Sequence, residues 1–210
     1  MSTPTTTPAA PTTAATTVPG RWLRLGPALK RNGLLIFFVF LLIVFTIARP
    51  EFLSEANIRN ILLSASVIGV LALGQTVVIL TGGFDIGIAK SAVVAGMVVA
   101  LAAGMGPVAL LASIAATIVI GLVNGVLISR TKVNPFIVTL GMYTILTSVA
   151  LLMNDGGSVI NLPDWLLGLV QWQFLAMPGI VWWFAGLAVI THIALAYTRW
   201  GGHIYAVGGN

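Results

Sequence analysis

The chain has 210 residues, of which 58% are hydrophobic and only 7% charged, with a formal net charge of +5 and a mean hydropathy of +1.05. Soluble domains carry about 25% charged residues, so this composition excludes a soluble globular protein and specifies one built into a bilayer. Its basic residues flank apolar runs and form no stripe on a soluble face, which excludes nucleic acid as a partner. The lack of cysteine excludes a disulfide framework, a thiol nucleophile and cysteine metal ligation.

Ser2 to Pro19 are almost wholly Ser, Thr, Pro and Ala, with nothing to bury, so residues 1–32 read as a disordered cytoplasmic tail with a basic flank. Residues 33–210 read as one transmembrane domain. Its first apolar run, Gly33 to Ala48, has the length of a signal-peptide core, but the long segment before it and the poor mature start Arg49-Pro50 favour a retained span. Span two runs from Ile58 to Leu80 and stops at the glycine-rich break Gly82-Gly83-Phe84-Asp85-Ile86-Gly87. Span three covers Ile88 to Gly104, Gly106-Pro107 turns the chain, and span four covers Val108 to Ile128. Span five covers Pro135 to Met153. The polar connector Asn154 to Pro178 contains Leu166 to Phe174, expected as a short interfacial helix anchored by Trp165 and Trp172. Span six covers Gly179 to Tyr197, and Thr198 to Asn210 closes the chain.

The fold class is therefore an all-α, polytopic transmembrane helix bundle of about six spans, interrupted at Gly82 to Gly87. With the N-terminus in the cytoplasm, Arg21, Arg24, Lys30, Arg31, Lys90, Arg130, Lys132 and Arg199 gather on the inner side, leaving Arg49 and Arg59 outside. The positive-inside rule then places both termini in the cytoplasm. Ala92, Gly96, Ala100 and Gly104 on span three, and Ser113, Thr117, Gly121 and Gly125 on span four, recur every fourth residue. Such rows allow close helix approach in a membrane.

The break is the chemically distinctive stretch. Bare peptide groups in lipid cost several kcal/mol each, so protein or a water-filled cavity must cover it, and interrupted helices often line transport paths. It has the look of a phosphate-binding loop but fails in detail, since Ile88 and Ala89 separate the last glycine from Lys90. Asp85 is an ionisable group near membrane depth, lining a solute path or gate, or serving as a turn carboxylate held by Lys90 or backbone N–H groups. Gln75, Thr76, Asn124, Tyr143 and Thr147 are uncharged polar residues within spans, suited either to interhelical hydrogen bonds or to a polyhydroxyl solute. His192 and His203 lack the carboxylate support of a metal site. No nucleophile, acid–base pair or dinucleotide fingerprint supports an enzyme.

Three stretches carry a resemblance. Ala72 to Ile86, ALGQTVVILTGGFDI, Gly121 to Gly141, GLVNGVLISRTKVNPFIVTLG, and Arg199 to Asn210, RWGGHIYAVGGN, resemble in order and spacing the permease subunits of sugar-importing ABC transporters of the ribose, xylose, arabinose and galactose type. The resemblance implies a subunit that pairs with a second permease copy, a cytoplasmic ABC ATPase subunit and a periplasmic or extracellular sugar-binding protein in the bacterial plasma membrane. It implies no cofactor on this chain, ATP being bound by the separate ATPase. Gln75, Gly82, Gly83, Asp85, Asn124, Gly125, Pro135, Phe136, Thr139 and Gly141 match its motifs. With Thr76 and Tyr143, most of these are the candidate path or gate residues, and Gly96, Gly104, Gly121 and Gly125 the candidate packing residues. Ile86 to Lys90 depart from the family's Leu-Ser-Val-Gly-like run. The family also continues past Gly-Gly-Asn into an Ala-rich coupling helix and further spans, so the chain is expected to be truncated and unable alone to drive uptake. The competing readings are a permease for branched-chain amino acids or nucleosides, a non-transporting membrane scaffold and, third, a membrane-embedded enzyme.

Overall fold

A computed structural model describes residues 25–157 and 162–209. The tail over Ser2 to Pro19 and the basic residues Arg21 and Arg24 lie outside the described residues. The chain forms α1 (Leu25–Ala48), α2 (Glu55–Leu80), α3 (Ile88–Leu101), α4 (Val108–Thr131), α5 (Pro135–Leu152), α6 (Asp164–Gln171), α7 (Gly179–Tyr197) and α8 (Arg199–Gly208). Between α6 and α7 the strands β1 (Gln173–Phe174) and β2 (Met177–Pro178) pair antiparallel.

Two compact units meet at the Ser54–Glu55 junction. In the first, α1 ends where the Arg49 N–H donates to the Phe45 carbonyl at 2.9 Å. A single 3-10 turn, Pro50–Leu53, then brings the Phe52 ring onto Phe45 at 5.6 Å. The second unit holds α2 to α8.

Four helices, α2, α4, α5 and α7, are long and apolar enough to cross a membrane, while the apolar stretches Asn32–Ala48 and Ile88–Leu101 are shorter. The second of these rises only about 21 Å, against a hydrocarbon core of about 30 Å. This is a multi-pass, all-α protein of the membrane. Its helix α4 shows why: Leu111, Ile114, Ile118 and Leu122, spaced by three and four, are more than half exposed, whereas Ala109, Ser113 and Asn124 on the other side are buried. Large apolar groups point outward, as lipid requires, and small or polar ones point into protein.

The core lies between α3 and α5, where Val94, Met142 and Leu146 are buried together. Helix α4 packs on the adjoining face of α3, and the Ser113 hydroxyl donates to the Ala95 carbonyl at 3.0 Å. That contact runs through Ala95 rather than through the row Ala92, Gly96, Ala100 and Gly104. A Cβ placed on Gly96, Gly104, Gly121 or Gly125 would meet nothing within 4 Å.

Three segments differ from their sequence reading. Helix α1 begins at Leu25, ahead of the Gly33 start read for span one and within the stretch 1–32 read as a disordered tail. The connector helix spans Asp164–Gln171, and the chain then leaves it for the hairpin, because Leu175 and Ala176 both take positive φ, 51° and 61°, the geometry of a tight hairpin turn. The closing segment is also helical. Thr198 accepts the Gly201 N–H on its hydroxyl at 3.3 Å, capping α8, an N-cap of the usual kind.

Candidate functional site

Helix α2 ends because Gly82 turns left-handed at φ +80°. The Gly82 N–H then donates to the Ile79 carbonyl at 2.9 Å and the Gly83 N–H to the Val78 carbonyl at 3.1 Å, which is the paired closure of a Schellman cap. Beyond it, Asp85 folds back. Its Oδ1 accepts the Gly87 N–H at 2.7 Å, an Asx turn that aims the chain into α3. The carboxylate is thus held by backbone, and the only ion pair among the described residues joins Arg59 to Glu55.

The non-helical residues between cap and turn need partners from elsewhere, and two side chains supply some of them. Oriented to satisfy both its amide groups, Gln75 donates to the Asp85 carbonyl at 3.0 Å and accepts the Asp85 N–H at 3.2 Å. Thr139, 1% exposed on α5, donates to the Phe84 carbonyl at 3.3 Å. Backbone of the break is therefore paired by an amide from one helix and a hydroxyl from another. Gly87 is buried and Asp85 half-buried, while Gly82 and Phe84 are exposed, so protein covers the break in part.

Beside it lies a cavity of about 470 Å³ lined by Thr81, Gly82, Gly83, Phe84 and Asp85 from the break, by Gly121, Asn124, Gly125 and Ile128 from α4, by Pro135 and Thr139 from α5, and by Val207 from α8. All three motif stretches of the sequence contribute to one wall or another. Asn124 is 6% exposed and its Oδ1 is buried without a hydrogen-bond donor. An orphaned buried acceptor of this kind costs about 1–3 kcal/mol.

The neighbouring elements are fixed by local chemistry that the sequence reading passed over. Asn134 caps α5, its Oδ1 accepting the Phe136 N–H at 2.9 Å, with Pro135 in the first turn, where a missing N–H is harmless. The Asn-Pro pair was the signal for that start. Gly208 of α8 lies against the Leu80 carbonyl, where no Cβ would fit, so the last helix rests on the end of α2. Its Gly-Gly punctuation hid it.

Other candidates stand elsewhere. Phe136 is 48% exposed and does not line the cavity. The hydroxyls of Thr76 and Thr147 bond back to the Ala72 and Tyr143 carbonyls, each at 2.7 Å. Tyr143 offers its ring to the Lys90 ammonium at 5.1 Å, away from Asp85. His192 meets the Tyr197 ring edge-on at 6.0 Å.

Residues 57–210 match the family model described as "Branched-chain amino acid transport system / permease component". Among curated proteins, the chain is 32% identical over 189 residues to a ribose import permease protein of Escherichia coli K12, covering 87% of this chain and 59% of the relative. It is 36% identical over 197 residues to a ribose import permease protein of Bacillus subtilis 168, covering 89% and 58%. To an L-arabinose ABC transporter permease protein of Azospirillum brasilense it is 29% identical over 185 residues, covering 87% and 55%. The chain thus spans less than two thirds of the length of these relatives. No solved structure matches it. The chain belongs to the permease family of the matched model.

Proposed function

We propose, on the premise of that membership, that this chain is a membrane permease component of an ATP-binding-cassette importer and that its solute is a monosaccharide or a similar polyhydroxyl compound. The observation that carries the reading is the cavity where three separate motif stretches meet, with Asn124 and Thr139 in its wall. Neutral polar side chains flanked by glycine backbone suit a hydroxylated solute, which brings no charge to be paired. The printed names of the relatives, ribose and L-arabinose permeases, favour sugars over the amino acids in the family's description.

In this reading Gly82, Gly83 and Asp85 form one side of the path, Asn124 and Thr139 the facing side, and Gln75 acts from behind by pairing the Asp85 main chain. The partners are a second permease copy, a cytoplasmic ATPase subunit that binds and hydrolyses ATP, and an external sugar-binding protein. No cofactor is assigned to the chain.

The test is uptake of radiolabelled ribose and arabinose by cells supplying those partners together with any permease sequence that continues beyond Asn210. Asn124→Leu should reduce uptake roughly tenfold or more, since each lost hydrogen bond to a buried polar group is worth about 1–3 kcal/mol, with membrane abundance unchanged. Unaltered uptake by that variant rules out the cavity as the path. Uptake of leucine in place of either sugar shifts the solute class to amino acids.

A further inference from the structure

A second cavity, also about 470 Å³, runs between α3 and α5 and is independent of the solute path. Its α3 wall is Lys90, Val93, Gly96, Met97 and Ala100, and its α5 wall includes Thr147. The one charged group stands at one end. Lys90 is half-buried and forms no ion pair among the described residues. Its ammonium rests on the face of Tyr143 at 5.1 Å. A ring face steadies a cation without consuming its three N–H donors. From Lys90 to Ala100 the groove follows α3 for about 15 Å, half of a hydrocarbon core of about 30 Å. It has a cation at one end, apolar walls behind it and the length of a single leaflet.

We propose that this groove is a binding site for one anionic phospholipid, its phosphate on the Lys90 ammonium and one acyl chain along Gly96 and Ala100. Anionic headgroups are held by basic groups placed between membrane helices, and charge complementarity separates this occupant from a neutral lipid. Gly96 opens the groove wall, since a Cβ there meets nothing within 4 Å. A larger side chain at that position starts out into the groove.

Native mass spectrometry of the protein released from nanodiscs of mixed phosphatidylglycerol and phosphatidylcholine reads the site directly. One phosphatidylglycerol should be retained per chain in preference to phosphatidylcholine. Retention should fall roughly fivefold in Lys90→Gln, the effect of one basic group at an anionic surface, survive in Lys90→Arg, and fall in Gly96→Leu although its charge is intact. Equal retention of both lipids, or full retention by Lys90→Gln, overturns the proposal. Displacement of the lipid by glucose 6-phosphate overturns it in favour of a soluble anion. Loss of a dimer mass in Gly96→Leu does so in favour of a second copy of the chain.

Discussion

At the scale of single residues, the break is held by side chains that pair the main chain of Phe84, Asp85 and Gly87. Gln75 pairs both groups of Asp85, Thr139 takes the Phe84 carbonyl, and Asp85 takes the Gly87 N–H. Gln75→Leu keeps the bulk of the side chain but orphans two groups, so it should cost about 1–3 kcal/mol for each buried group left unpaired. Thermal unfolding of the purified protein in detergent measures this. Gln75→Glu serves as a control, retaining an acceptor for the Asp85 N–H and losing the donor, and should fall between wild type and Gln75→Leu. Equal stability of all three would mean that solvent, not Gln75, satisfies the break.

At the scale of elements, most helix limits were legible because apolar runs in this chain end at glycine or proline. Gly82, Pro107, Pro135 and Gly179 each stand where the sequence placed a boundary, and α7 occupies the expected residues. The hairpin was not legible, since Leu175 and Ala176 adopt positive φ without being glycine or asparagine. Nor was α8, in which Gly201 and Gly208 stand at close backbone approaches rather than at turns. In the site, the sequence singled out Gln75 as a polar residue within a span, and Thr139 through the family motif, but could not distinguish backbone pairing from solute contact. That distinction depends on which helix faces the break, and periodicity does not report tertiary neighbours. Gly208 gives the test at this scale. Gly208→Val drives a side chain into the Leu80 carbonyl, so α8 should lift from α2. Limited proteolysis should then cut after Arg199 at least several times faster, by loss of the packing that suppresses local opening. An unchanged digestion pattern would show that α8 docks by other contacts.

At the scale of the whole molecule, the claim is that water reaches the cavity lined by the broken helix and α4 from the side of the membrane that holds Arg130 and Lys132. Gly125 lines that cavity, has open space for a side chain, and sits in a chain with no cysteine of its own. A single Gly125→Cys thiol therefore reports alone. In inside-out membrane vesicles, a charged, membrane-impermeant maleimide should label it, and the transported sugar should slow that labelling. Reaction only with a lipid-soluble maleimide, or reaction with the impermeant reagent only from the outer face of intact cells, would contradict the claim.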